Sequence, residues 1–137
     1  DEHHPVKIFV APTMKFMEWR VAIQTKNYDY VGRAYGRNIT FSDKVKRQQF
    51  SPDTLLWQIK SNPEIRTFLK FSSIYRWQIR KLDDQTTEIR LIDLRYLNKG
   101  HYSFAAIAHL TQDQKIDHSY IGWVFTEEKL QKKLYSH

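Results

Sequence analysis

One carboxylate of the sequence lies where an acidic residue is costly, because Asp93 stands between Ile92 and Leu94 in an otherwise apolar stretch. A strand over residues 87–96 would place Arg95 on the same face, two positions along. A buried carboxylate needs a partner to stay charged. The spacing therefore predicts either a structural ion pair or a pair whose remaining guanidinium donors hold a phosphate or carboxylate.

The second alternative predicts an anion-binding site. We expect its ligand-binding residues to be Arg76, Asp93, Arg95 and His101. In that case the substitution Arg95→Ala weakens anion binding and leaves the fold intact.

The candidate metal ligands are His109, Asp117 and His118, which lie around the last predicted hairpin. Antiparallel pairing could bring the two imidazoles together, but a zinc centre needs three or four aimed donors, and no His-Glu-x-x-His signature occurs. The absence of Cys excludes disulfides, thiolate metal sites and thiol catalysis. We predict no metal ligand, no cofactor and no catalytic residue in this chain, and interpret these residues as polar pairs across two strands.

Basic and aromatic residues alternate in two segments, a pattern found on sheets that bind single-stranded nucleic acid. The segments are residues 32–37, with Arg33, Tyr35 and Arg37, and residues 76–81, with Arg76 and Trp77. Neither segment matches a ribonucleoprotein motif, and no helix-turn-helix or phosphate-binding glycine loop is evident. A nucleic-acid-binding regulatory module is therefore the alternative function.

The composition describes one globular domain: 137 residues, 41% of them hydrophobic, with a formal charge of +7. The charge favours anionic partners, although the clusters at residues 44–47 and 129–133 are short and read as solvated surface. The chain has no apolar run of membrane-spanning length and no signal peptide, and it begins at Asp1 rather than Met, as an excised piece would. We predict a linker or expression-derived terminus over residues 1–9 and a single soluble domain over residues 10–137.

Alternating apolar residues predict the strands of the first half of the chain. Residues 18–25 and 30–35 should pair as a hairpin across a polar break. Ser51-Pro52-Asp53 predicts the start of a helix, and Ser61-Asn62-Pro63 repeats that signal before Ile65, Phe68 and Leu69. One kinked helix or two short helices should follow.

The second half returns to strands. Residues 75–80 and 87–96 predict a second hairpin, and residues 102–110 and 119–125 predict a third. Thr126 should cap a final helix that docks through Leu130 and Leu134. The predicted fold class is α+β, with an antiparallel sheet built from hairpins, one or two short helices inserted midway and a C-terminal helix.

Several motifs together resemble a known family. They include Glu-Trp-Arg-Val at 18–21, the glycine-containing segment 30–38, residues 71–77 and 92–96, Lys-Gly-His-Tyr at 99–102 and Gly-Trp-Val-Phe at 122–125. From about residue 10 to residue 135, the chain is similar to the soluble C-terminal half of the membrane-bound metal-dependent hydrolase family that includes YdjM and YfhP, most nearly its YfhP branch.

This resemblance implies a parent protein in the cell membrane, with a divalent metal and its ligands in a transmembrane half that this chain lacks. The expected function is that of a noncatalytic cytoplasmic accessory or ligand-recognition domain. Its expected partners are the membrane surface or the missing transmembrane half, together with an anionic ligand. Segments rich in Lys and Arg beside a membrane tend to stay in the cytoplasm, which agrees with this placement.

Overall fold

The chain forms two compact units, residues 1–47 and residues 48–137, in a computed structural model. The structure describes residues 5–48, 59–83, 85–97 and 103–136. Each unit contains its own four-stranded antiparallel sheet. This division differs from the single domain expected over residues 10–137.

The first unit is a meander in which each strand pairs with the next one along the chain. Its strands are β1 (Lys7–Pro12), β2 (Glu18–Gln24), β3 (Tyr28–Tyr35) and β4 (Asn38–Lys46). The predicted hairpin between β2 and β3 is present, with Val21 opposite Gly32. At Gly32 the chain comes so close to β4 that an added Cβ would lie 2.2 Å from the Thr40 carbonyl oxygen.

Polar side chains close the turn between β2 and β3. Gln24 donates from Nε2 to Asp29 Oδ1 at 2.8 Å, and both residues are buried. Arg47 donates from its guanidinium to the Thr25 carbonyl at 2.7 Å and lies 3.8 Å from Asp29. These contacts satisfy a carboxylate that would otherwise be costly to bury.

The second unit is also a meander, with strand order β5-β6-β7-β8. Its elements are helix α1 (Pro63–Phe71), β5 (Tyr75–Lys81), β6 (Thr87–Asp93), the 3₁₀ helix η1 (Leu94–Tyr96), β7 (Ser103–Leu110), β8 (Ile116–Val124) and helix α2 (Glu127–Tyr135). Both later hairpins and the C-terminal helix were predicted, so the α+β class with antiparallel pairing is confirmed.

Helices cover both faces of the second sheet. Ile65 and Phe68 of α1 pack with Ile89, Leu91 and further residues of one face. Leu130 and Leu134 of α2 pack with Ile92, Ala105 and Ile107, which point the other way because successive strand residues alternate between faces. The continuous apolar run of β7 serves both cores.

The predicted helix starts were correct where the structure describes them. Asn62 caps α1 by accepting from the Ile65 backbone N–H at 3.1 Å, with Pro63 in the first turn. Thr126 caps α2 by accepting from the Lys129 N–H at 3.1 Å. The helix start predicted at residues 51–53 lies outside the described residues, although residues 59–61 are helical.

Two predicted boundaries differ from the structure. The strand expected over residues 87–96 ends at Asp93, because the Asp93 side chain accepts from the Arg95 N–H and caps η1. Strand β1 begins at Lys7, inside the stretch predicted as a linker, because pairing with β2 satisfies its backbone. In the part of the chain that the structure describes, no helix is both long enough and apolar enough to cross a membrane.

Candidate functional site

The predicted pair of Asp93 and Arg95 is present as a bidentate ion pair. The Asp93 carboxylate is fully buried and accepts from Arg95 Nε at 3.0 Å and from an Arg95 terminal nitrogen at 2.7 Å. Arg95 also donates to the Phe71 carbonyl at 3.0 Å and stacks over the Phe71 ring at 4.8 Å. The hydrogen bonds to Asp93 raise the pKa of Arg95. This geometry ties the end of β6 to the end of α1, as a structural ion pair does.

Of the other two predicted anion-binding residues, the structure describes only Arg76. Arg76 is buried and lies opposite Ile92 in the register, on the sheet face that α2 covers, whereas Asp93 lies opposite Tyr75 on the α1 face. His101 lies outside the described residues.

A row of directly paired polar residues crosses the second sheet. The register aligns Arg80 with Glu88, Glu88 with His109, and His109 with His118. Glu88 is 3% exposed, and its carboxylate lies 3.2 Å from a guanidinium nitrogen of Arg80 and 3.2 Å from one of Arg90. Arg80 of the row and the nearby Arg90 therefore bring two guanidinium groups to one buried carboxylate.

These partners keep Glu88 ionised. Burial alone would raise its pKa, but the hydrogen bond from His109 and the charges of Arg90 and Arg80 lower the pKa from 4.5 to about 2. Because the carboxylate only accepts, His109 donates to it from Nε2 at 3.1 Å. The other ring nitrogen of His109, Nδ1, is hydrogen-bonded to the Tyr135 hydroxyl at 2.6 Å.

This network fixes both ends of helix α2. Tyr135 in its last turn reaches His109, and Glu127 in its first turn accepts from Arg90 at 2.6 Å. Partial burial and, to a smaller extent, nearby carboxylates raise the pKa of Tyr135. Its hydroxyl therefore remains a donor at neutral pH. Together with the buried Leu130 and Leu134, these contacts hold α2 against the sheet.

The histidines predicted to lie opposite each other do so, since His109 and His118 are register partners. Both approach the Tyr135 ring, with the His118 and Tyr135 centroids 4.1 Å apart, and His118 lies 3.6 Å from Asp117. Within the described ranges, no group of three or more His, Asp or Glu side chains is arranged to hold a metal ion.

The residues of the nucleic-acid alternative fall into two units. In the first unit, Arg33 lies 3.5 Å from the Glu18 carboxylate and Tyr35 is exposed. In the second unit, Trp77 packs against the core formed with α1, and Arg76 is buried. The aromatic ring of the second segment is therefore engaged in packing rather than displayed for stacking.

A cavity of about 580 Å³ lies between β8 and α2. Tyr120, Phe125 and Leu130 contribute apolar surface to its wall, whereas the Trp123 ring packs against Phe104 and Tyr96 on the other face of the sheet. This volume falls within the range of about 300–1,000 Å³ typical of small-molecule sites. The wall offers aromatic and aliphatic surface to an apolar group.

Three lysines of α2 line the same cavity, at positions 129, 132 and 133. Their spacing of three and four residues places them as neighbours on one side of the helix. The Lys129 ammonium lies 5.9 Å from the Phe125 ring centroid, and Lys132 pairs with the exposed Glu128 at 3.4 Å. Exposed pairs of this kind are weak, so the lysines can turn toward an incoming anion.

Gly122 keeps this cavity open on the strand side. It has φ +152°, and an added Cβ would lie 2.5 Å from the Tyr120 hydroxyl. That hydroxyl donates to the Trp123 carbonyl at 3.2 Å, which holds the Tyr120 ring across the glycine. A side chain at this position would displace the ring that forms part of the wall.

Sequence reasoning recognised the lysine cluster but interpreted it as solvated surface. The signal that was available is the sequence itself, since the aromatic residues Tyr120 and Phe125 lie shortly before the helix that carries the lysines. The Glu88 row had no comparable signal, because it depends on the register of three strand pairs.

Comparison with known proteins supports the YfhP part of the resemblance. Residues 54–134 match the family described as "YfhP C-terminal alpha/beta plait domain", and residues 2–45 match "YfhP middle domain". The chain is 44% identical over 127 residues to a Bacillus subtilis (strain 168) protein named "Uncharacterized protein YfhP". The match covers 93% of this chain and 38% of that protein. No solved structure matches significantly.

The two matched segments correspond to the two units, and the similarity runs through both of them. From these matches, the chain belongs to the YfhP family.

Proposed function

We propose that this chain is the accessory, ligand-recognition part of a membrane-bound protein of the metal-dependent hydrolase type. In this proposal its second unit binds an anionic phospholipid, with the phosphate on Lys129, Lys132 and Lys133 and the adjoining apolar chain against the aromatic wall. The observation that carries the proposal is the cavity between β8 and α2, which combines the two kinds of surface. The domain lies at the cytoplasmic face of the cell membrane, and its net charge of +7 favours anionic lipid there.

The proposal is supported by how the site is built. Glu88, Arg90 and His109 fix α2 at both ends, so the lysines stand on a helix that is already ordered before a ligand arrives. A site formed on a preorganised support loses less conformational entropy on binding than one formed on a loop. The guanidinium of Arg95 is already held by Asp93 and Phe71, so we place binding at the lysines instead.

Binding is tested with a monomeric short-chain lipid, dihexanoyl phosphatidylglycerol, kept below the concentration at which it forms micelles. We expect isothermal titration calorimetry to show saturable binding of this lipid and much weaker binding of dihexanoyl phosphatidylcholine. The triple variant Lys129→Gln, Lys132→Gln, Lys133→Gln should weaken binding by about tenfold or more, as removal of three cations facing a phosphate implies.

The matched control changes Lys60, Lys70 and Lys115 to Gln, which removes the same charge from exposed positions away from the cavity. It should alter the affinity by less than about twofold, since distant exposed charges are screened by salt. Equal losses in both variants would reject the cavity as the site. Binding of inorganic phosphate with the same affinity as the lipid would show that the aromatic wall plays no part. Tighter, steeply salt-dependent binding of a single-stranded oligonucleotide would favour the nucleic-acid alternative.

The proposal also assigns hydrolysis, and the divalent metal it would use, to a part of the parent protein outside this chain. The purified chain should then show no turnover of p-nitrophenyl phosphate in the presence of Mg²⁺ or Mn²⁺. A parallel reaction with excess EDTA defines the background. Turnover that requires the metal and that EDTA abolishes would contradict an accessory role.

A further inference from the structure

The turn between β1 and β2 displays three large apolar side chains to solvent. Met14, Phe16 and Met17 are 103%, 88% and 55% exposed, and Lys15 stands among them. Hairpin turns usually carry Gly, Asn, Asp, Pro or Ser, which tolerate water and tight backbone angles. A cluster of Met and Phe at such a position has no packing role within the unit, which points to a surface that contacts something else.

The turn is held in a defined conformation. The Thr13 hydroxyl donates to the Glu18 carboxylate at 3.0 Å and accepts from the Lys15 N–H at 3.1 Å. Backbone bonds join Thr13 to Glu18 and Glu18 to Lys15. Met17 adopts φ +64°, a conformation that bulky residues rarely take and that the surrounding bonds impose. Because these polar groups are already paired, the turn can enter an apolar environment without leaving them unsatisfied.

The exposed apolar surface continues onto one face of the first sheet. Val10 lies opposite Val21, and Trp19 lies opposite Pro12, so their side chains share that face. Ile8, Val10 and Trp19 are each about half exposed. The turn is therefore the end of an apolar strip and not an isolated cluster.

The charge of the first unit indicates which kind of partner the apolar strip would contact. Residues 1–47 carry nine Lys or Arg and five Asp or Glu, and Lys7 and Lys15 flank the apolar residues. Lysine stems can lie along lipid chains while their ammonium groups reach the phosphates, and Met and Phe enter the region just below. An anionic bilayer surface satisfies both the apolar residues and the lysines.

We propose that residues 13–17 form a membrane-insertion turn, in which Met14, Phe16 and Met17 enter the interfacial region of an anionic bilayer while Lys15 contacts lipid phosphates. This inference deepens the proposed function, because it rests on the placement of the chain at a bilayer. It concerns a different unit and different residues from the cavity beside α2.

The absence of native Cys allows a single reporter to be placed on the full chain. An NBD fluorophore is attached at Met14→Cys, with Asp113→Cys in the turn between β7 and β8 as the matched control. With vesicles of phosphatidylglycerol and phosphatidylcholine, we expect NBD emission to shift to the blue and to at least double in intensity at position 14 only, because NBD responds to loss of water. Pure phosphatidylcholine vesicles should give a much smaller change, since the charge contribution is missing.

A second variant tests the turn without a label. The combined substitutions Met14→Ser, Phe16→Ser and Met17→Ser should reduce affinity for the anionic vesicles at least tenfold. All three side chains are exposed, so the unfolding midpoint should not change, which a urea titration checks.

The outcomes separate the two proposals. Vesicle binding with no NBD response at position 14, or with unchanged affinity of the Ser variant, would overturn the insertion turn and leave the short-chain lipid result untouched. An NBD response at position 14, in a chain whose cavity lysines do not affect short-chain lipid binding, would support the turn and reject the cavity. If the chain forms oligomers without lipid and the Ser variant does not, the strip would instead be an interface with a second copy of the chain.

Discussion

The substitution Glu88→Gln is expected to lower the free energy of unfolding by about 3 kcal/mol at pH 7, because it removes a buried carboxylate from two arginines and a histidine. Urea unfolding at pH 7 measures the loss. The matched control is Glu127→Gln, since Glu127 binds the same Arg90 but its side chain is 61% exposed. That substitution should cost about 0–1 kcal/mol.

The difference in unfolding free energy between the native chain and the Glu88→Gln variant should depend on pH. The pKa of Glu88 falls from 4.5 to about 2 on folding. A group with a lowered pKa in the folded state contributes its full stability above the unfolded value and loses it as the pH falls through the folded value. The stability difference between the native chain and Glu88→Gln should therefore be constant above about pH 5 and should shrink toward pH 2. A difference that does not change across this interval would show that the ionised form of Glu88 is not what stabilises the sheet.

The substitution Phe68→Ala should destabilise the second unit by about 3–5 kcal/mol, the usual cost of removing a buried aromatic side chain from a packed core. Phe68 is fully buried, and its ring centroid lies 5.8 Å from that of Tyr75 and 5.9 Å from that of Phe104. Urea unfolding followed by far-UV circular dichroism measures the change.

Phe71→Ala provides the control on the same helix. Phe71 is 51% exposed and contacts Phe104, Tyr96 and the Arg95 guanidinium at the rim of the core. Because part of this ring already faces water, its removal should cost about 1 kcal/mol. A cost at Phe68 no larger than that at Phe71 would show that the core between α1 and the sheet is not packed as described.

Local signals explain why the helix starts could be predicted from the sequence. A capping side chain and the proline beside it act within one turn, so Asn62 and Thr126 specify where α1 and α2 begin without help from distant residues. Alternation of apolar residues acts over a single strand, which is why the later hairpins were recognised. Strands β1 and β4 were missed because β1 lies near the terminus and ends in Pro12, and most side chains of β4 are exposed.

The row of polar residues around Glu88 was less accessible to sequence reasoning because it depends on long-range geometry. The row from Arg80 to His118 exists only in one register of three strand pairs, and that register includes a shift between His109 and Leu110. A displacement of one residue would turn Glu88 toward the opposite face. The ion pair of Asp93 and Arg95 was predicted because its members are two positions apart in the sequence. The sheet face on which Arg76 lies depends on strand pairing, so the sequence alone did not show it.

The strand order in each sheet also bears on how the protein acquires its structure. Each strand pairs with its neighbour in the sequence, so each new hairpin adds to an edge that already exists. Chains dominated by such local pairings close short loops and lose little entropy before contacts form, and they fold faster than chains whose strands must find distant partners. The two sheets can therefore form in the order in which the ribosome synthesises them. The sheet within residues 1–47 can form before the second sheet has been synthesised.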